Sequence, residues 1–283
     1  MSKADVNWLR KNGREDVIIF AQDFANFARL KKKYDVWEYK YKLPSCPLYA
    51  ILQKLEKGER LEEMDVAWLQ ENNVEESQPR YSYYSYYGER RSQGKKLFNG
   101  KIRIAYHKIE ATFYEQEYDR TGNKWNLPNA SSHWRKAEEP RRALKVTGNL
   151  NFNTIKENKF KSALLTTRGG AFRDISKLYD AEKCARKAIE YQPQSHHPYT
   201  LMGAICFERG QYLKGERWFD EAIKRGASPR DMDAEIKRVV KNADNNKRRQ
   251  VVEYLLKKDP KRYAWAKSYL KKANNQKRRT NDR

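Results

Sequence analysis

What this chain has least of is the chemistry that marks an enzyme. Its four histidines, His107, His133, His196 and His197, fall in no HExxH or triad-like frame. The glycine-rich phosphate-loop and dinucleotide motifs are absent, and Arg168-Gly169-Gly170 has no following Lys-Ser or Lys-Thr. The acidic pairs Glu62-Glu63 and Glu138-Glu139 are neighbours in sequence, so on a helix they splay apart rather than share a site. Cys46, Cys184 and Cys206 stand far apart with no CxxC pair, which fits a reducing compartment better than disulfides or zinc. No run of 18 apolar residues exists, and MSKADVNWLRKNGRED has no apolar signal core. The expectation is a non-enzymatic protein with no catalytic residue, metal, cofactor or small-molecule substrate and no membrane insertion. A cytoplasmic location is expected, with a nuclear one left open.

Apolar residues are also scarce, at 39%, below the usual share for compact domains. That suits an elongated helical solenoid, in which each layer touches only its neighbours. Charge, in contrast, is abundant and one-sided: 60 Lys and Arg against 37 Asp and Glu give +23. Such an excess speaks of partners rather than fold. Residues 1–64 carry +3, 65–161 carry +6, 162–229 carry +3 and 230–283 carry +11. The last fifth of the chain thus holds about half of the excess.

A 34-residue period is legible in the middle of the chain. With Ser162 as position 1, positions 8, 10, 11, 17, 20, 27 and 32 are Gly169, Ala171, Phe172, Leu178, Ala181, Ala188 and Pro193. One period later they are Gly203, Ile205, Cys206, Tyr212, Gly215, Ala222 and Ala227. Small residues at 8 and 20 let two helices approach closely, larger ones fill the space beside them, and Gly210 supplies a tight turn. Residues 162–229 therefore resemble two tandem tetratricopeptide repeats, whose pattern asks for small residues at 8, 20 and 27, aromatics near 4, 11, 17 and 24, and proline at 32. Leu165 and Tyr199 replace the pattern's tryptophan at position 4, and Ala227 stands in for proline. The resemblance implies helical hairpins that hold a protein partner in a groove. Carried over position by position, that groove includes Thr166, Gly170, Arg173, His197, Thr200, Leu201, Ala204 and Phe207. One branch of the family clamps a carboxylate with Lys and Asn at positions 5 and 9. Thr166 and Gly170 stand there instead, so that activity is not implied.

The N-terminal half repeats more faintly. Asp5-Val6-Asn7-Trp8-Leu9 returns as Asp65-Val66-Ala67-Trp68-Leu69, and Tyr34-Asp35 before Leu43-Pro44 returns as Tyr118-Asp119 before Leu127-Pro128. Two divergent units follow, near 5–64 and 65–145, each with a short helix, a long helix and a helix after Leu-Pro. The stretch from Trp125 to Trp134 reads as a polar turn packed between repeats. After residue 230 apolar residues recur at helical spacing through three segments, the last opening at Asp259-Pro260.

The expected organisation is all-α: an N-terminal domain 1–145 with a loop at 75–98, a connector 146–161, two tetratricopeptide hairpins 162–229, a basic helical cap 230–272 and a disordered tail 273–283. Two segments offer nucleic-acid contacts. The loop places Tyr83, Tyr84, Tyr86 and Tyr87 before Arg90, Arg91, Lys95 and Lys96, aromatic faces for bases beside cations for phosphate. The cap carries Lys247, Arg248, Arg249, Lys257, Lys258, Lys261, Arg262, Lys271 and Lys272, suited to salt-sensitive phosphate contact. The function expected is a scaffold that assembles a complex and contacts RNA or DNA through these surfaces. The alternative is a pure adaptor that binds an acidic protein.

Overall fold

The computed structural model describes residues 1–36, 43–72, 98, 100–148, 150 and 152–270. Every regular element among them is helical, as expected. The chain divides into two compact units, one running from Met1 to Arg120 with Lys136–Glu138, the other comprising Thr121–Arg135 and the residues from Glu139 onward.

The first unit holds α1 (Lys3–Lys11), α2 (Glu15–Lys33), α3 (Pro47–Lys57), α4 (Glu63–Glu71) and α5 (Lys101–Thr121, in this unit to Arg120). α1 packs on α2, α2 on α3 and α3 on α4. Its core joins Phe27 and Leu30 of α2, Leu48, Ile51, Leu52 and Leu55 of α3, Leu69 of α4 and Ile102 of α5. Those residues recur every three or four positions, the spacing that puts side chains on one helix face. α5 is further tied by Glu110, 4% exposed, whose carboxylate accepts two hydrogen bonds from the Arg60 guanidinium at 2.8 and 2.9 Å.

Both Asp-Val-x-Trp-Leu segments form helices with the same closures. In α1, Ser2 is the N-cap and Asp5 accepts its backbone N–H at 2.8 Å; in α4, Asp65 does the same for Glu62 at 3.0 Å. At the other end Asn12 Nδ2 donates to the Trp8 carbonyl at 2.7 Å, and Asn72 Nδ2 to the Trp68 carbonyl at 2.9 Å. Each eight-residue motif thus supplies its own start and stop.

The second unit opens with α6 (Asn126–Lys136, in this unit to Arg135) and α7 (Pro140–Val146), followed by a 3-10 turn at Phe152–Thr154. The expected boundary at 145 therefore differs from the observed one at Arg120. α6 is tied to later residues of this unit: Trp125, just before it, meets Phe160 edge-on at 5.3 Å, and Arg135 donates to Asp174 at 2.7 Å. It also holds α7, through Ser131 Oγ donating to the Ala143 carbonyl at 3.1 Å and Trp134 under the Arg142 guanidinium at 3.8 Å. The stretch between Trp125 and Trp134 is this helix, not a turn. Pro47 forces α3 to start after Leu43-Pro44, whereas Ser131 stands where a second proline would be. α6 can therefore begin at Asn126 with Pro128 in its first turn, where a missing N–H costs nothing.

Three successive helix pairs follow: α8 (Asn158–Asp174) with α9 (Leu178–Tyr191), α10 (His196–Glu208) with α11 (Tyr212–Lys224), and α12 (Pro229–Asn242) with α13 (Asn245–Lys258). α8 begins four residues before Ser162, so the expected connector is shorter than 146–161. α10 also packs on α8, α9 and α12. The first two turns close alike, 34 residues apart. Ser176 and Gly210 take left-handed φ of 62° and 75°. Their N–H groups donate to the Arg173 and Phe207 carbonyls at 2.9 and 3.0 Å. Lys177 and Gln211 donate to Phe172 and Cys206, both at 2.9 Å. Gly203 sits so near the Phe219 ring that a Cβ would overlap it.

The final core joins Phe207, Phe219, Ile236, Val240, Val252, Leu255 and Tyr263. After α13, Asp259 Oδ1 accepts the Lys261 and Arg262 N–H groups at 3.1 and 2.9 Å, as its place before Pro260 suggested. What it starts is a turn and a 3-10 segment, Ala264–Ala266, rather than an immediate α-helix. Tyr263 and Ala266, three residues apart, are both buried, a spacing that 3-10 geometry brings onto one side.

Candidate functional site

The basic cap is built on α13 and the turn after it. Lys247, Arg249, Lys257 and Lys261 are exposed, and among the described residues none of them forms an ion pair. Arg248, in the middle of the same run, is otherwise engaged. Its guanidinium donates to the carbonyls of Val240 (2.9 Å), Lys241 (3.2 Å) and Ala243 (2.6 Å), and to Asn245 Oδ1 at 3.2 Å. It closes the C-terminus of α12, where unpaired carbonyls carry partial negative charge. Lys258 pairs with Glu216 at 2.5 Å and Arg262 with Asp233 at 2.8 Å. Four of the seven described cap candidates therefore present charge to solvent, and three are occupied. Lys271 and Lys272 lie outside the described residues, as do Tyr83, Tyr84, Tyr86, Tyr87, Arg90, Arg91, Lys95 and Lys96 of the tyrosine loop.

The residues assigned to a groove are placed differently. Gly170, Arg173, Leu201, Ala204 and Phe207 are buried within the second unit, Thr166 and Thr200 are half-buried, and His197 is exposed. Phe207 packs with Phe219 and Tyr212 at ring separations of 5.5 and 5.6 Å. The Thr166 and Thr200 hydroxyls donate to the Ser162 and His196 carbonyls one turn back, at 2.8 and 3.2 Å. Gly170 leaves room for Arg135, because a Cβ there would overlap the guanidinium.

A ladder of ion pairs fills the space beside it. Arg135 donates to Asp174 at 2.7 Å, and Arg238 to the other oxygen of Asp174 at 2.6 Å. Arg173, 5% exposed, donates to Glu208 at 2.6 Å and to Glu235 at 2.7 Å. Burial alone would make the Arg173 cation easier to neutralise, but Glu235 and Glu208 more than reverse this. Burial likewise works against the Glu235 carboxylate, and Arg173 with Arg238 and Arg135 outweighs it, so its pKa falls below the usual value. Arg173 and Glu235 each keep their charge.

One aromatic and cationic feature escaped the sequence reading. Lys124, Trp125, Ile155, Lys156, Glu157 and Phe160 line a shallow pocket, with Trp125 edge-on to Phe160 at 5.3 Å. Lys124 and Lys156 are exposed beside the half-buried Trp125. The two stretches are some thirty residues apart in sequence, and no local motif links them.

Burial pushes the Cys184 and Cys206 thiols above their ordinary range, which disfavours the thiolate a nucleophile needs. Among the described residues no group of three His, Cys, Asp or Glu side chains is placed to hold a metal. No helix among them is long and apolar enough to cross a membrane. Comparison with known families, curated proteins and solved structures finds no match.

Proposed function

We propose that this chain is a non-enzymatic helical-repeat scaffold that contacts RNA or DNA through the basic cap. The observation that carries the reading is the set Lys247, Arg249, Lys257 and Lys261, exposed on one short stretch and without an ion-pair partner among the described residues. Cations left unpaired on a chain of +23 suit a polyanion, whose condensed counterions they displace. Lys124 and Lys156 beside Trp125 add a second place where a base could stack next to phosphate contacts.

The scaffold part of the proposal is that α8–α11 are two tetratricopeptide hairpins and that α12 and α13 continue the series. The matching left-handed closures at Ser176 and Gly210 support it, as does the close approach at Gly203. On this reading a protein partner on the inner face meets Thr166, His197 and Thr200, the groove candidates that keep surface. Cytoplasmic placement remains part of the same proposal.

Titration of labelled single-stranded RNA and duplex DNA at several salt concentrations tests it. The expected result is binding whose affinity falls steeply with salt and depends little on sequence. No binding at about 50 mM salt overturns the nucleic-acid reading, since that is where phosphate contacts are strong. Tight capture of an acidic peptide under the same conditions, with no nucleic-acid binding, would give the cap to a protein partner instead.

A further inference from the structure

The first unit contains one motif twice, with its outer face covered once. α1 and α4 share Asp-Val-x-Trp-Leu-x-x-Asn, the same capping box and the same Asn-to-Trp closure, 60 residues apart. In α4 the motif's apolar residues are used: Leu69 is fully buried, and Val66 and Trp68 pack against the core that holds Leu48, Ile51, Leu52 and Leu55 of α3. Lys54, near the end of α3, reaches Asp65 at 2.7 Å and Glu62 at 3.1 Å. α1 has no buried residue, and Trp8, the counterpart of Trp68, is 63% exposed.

α2 adds to the same imbalance. It aligns with α5 at a separation of 84 residues: Ile18 matches Ile102 and Phe27 matches Ala111, all buried. At the positions where α5 carries Arg103, Ile104 and Lys108, α2 carries Ile19, Phe20 and Phe24, exposed by 58%, 55% and 47%. Four large apolar side chains therefore face solvent on two helices that pack together. Residues 1–24 hold four basic and four acidic side chains, so in a chain of +23 this surface has no net attraction for a polyanion. Phe20 and Phe24 lie side by side, with ring centroids 6.5 Å apart, and exposed apolar patches mark protein contacts.

We propose that the α1–α2 surface docks an amphipathic helix of another protein, of the same kind as α3. The chain itself shows how the motif is covered: by a helix with Leu or Ile at three- and four-residue spacing and a Lys that meets the capping carboxylate. On α1 that carboxylate is Asp5, exposed and in place. The partner helix therefore carries an aliphatic stripe and a lysine in its last two turns. Helix-on-helix recognition of this type reads anchors at i, i+3, i+4 and i+7.

The probe is a fluorescein-labelled peptide of residues 44–59 with Cys46→Ser, titrated into the full chain and followed by anisotropy. Saturable binding is expected, weakened at least tenfold by Trp8→Ala and several-fold by Lys54→Glu in the peptide. A second variant, Ile19→Arg with Phe24→Lys, copies what α5 carries at those positions and so preserves the helix while removing the patch. It too should lower affinity at least tenfold, with an unchanged circular dichroism spectrum. The proposal is overturned by no saturation up to about 1 mM peptide, the weak limit of specific recognition. Equal binding by wild type and both variants overturns it as well. So does concentration-dependent dimerisation that Trp8→Ala abolishes, which would make the occupant a second copy of the chain.

Discussion

Replacing Arg173 with methionine would leave Glu208 and Glu235 without the cation that holds them together in a mostly buried site. Removing one member of a buried ion pair costs about 3–5 kcal/mol, because the other charge stays desolvated and unpaired. Urea denaturation should show a loss of that size, and a loss under about 1 kcal/mol would reduce the ladder to a surface network. Glu56 offers the opposite case, a pair near solvent. Hydrogen bonds from Arg29 and then Lys33 hold its carboxyl at about 2. A folded-state pKa below the unfolded one contributes stability above the unfolded value, and that contribution is lost as pH falls through the folded one. The first unit should therefore lose stability between about pH 4.5 and 2, near the ordinary and the lowered carboxyl values. In Glu56→Gln the dependence over that window should flatten, as acid titration monitored by circular dichroism would report.

At the scale of elements, the ends of helices decide more than their middles. Ser176 takes a left-handed φ that its side chain resists, and Gly210 takes it freely. Ser176→Gly should stabilise the α8–α9 turn by about 0.5–1 kcal/mol, read as a raised thermal midpoint. Arg248→Ala should destabilise the α12–α13 pair by about 1–2 kcal/mol, since it removes the donors that close α12. It should leave the salt dependence of nucleic-acid binding unchanged, which separates it from its neighbours. The sequence showed α8–α11 because their small residues fall on one period. It did not show α12–α13 as a third pair on that period, since Lys237 and Arg249 occupy the positions of Gly203 and Gly215. There Met232, Ile236, Val239 and Val251 carry the packing instead. The cap was legible as a basic run, but not which cations were already taken. Arg248 looks like Arg249 until the carbonyls it reaches are brought to it by the fold. The groove reading met the same limit, for Arg173 and Gly170 acquire their roles from Glu235 and Arg135, 62 and 35 residues away in sequence.

For the molecule as a whole, net charge sets the measurement that matters. If Lys247, Arg249, Lys257 and Lys261 are its contacts, the log–log dependence of single-strand affinity on salt should have a slope near about −3, from four phosphates at about −0.7 each. Changing all four to alanine should remove most of it, leaving what Lys124 and Lys156 contribute, and an unaltered slope would move the contacts elsewhere. The ion-pair ladder has a mechanical consequence of its own. Arg173 and Asp174 on α8 reach Glu235 and Arg238 on α12, past the intervening α10–α11 pair. Under tension that middle pair cannot be drawn out as a separate spring, because its flanks are clasped directly to each other. Pulled from its ends in an optical trap, the segment from α8 to α12 should yield in one rip rather than hairpin by hairpin.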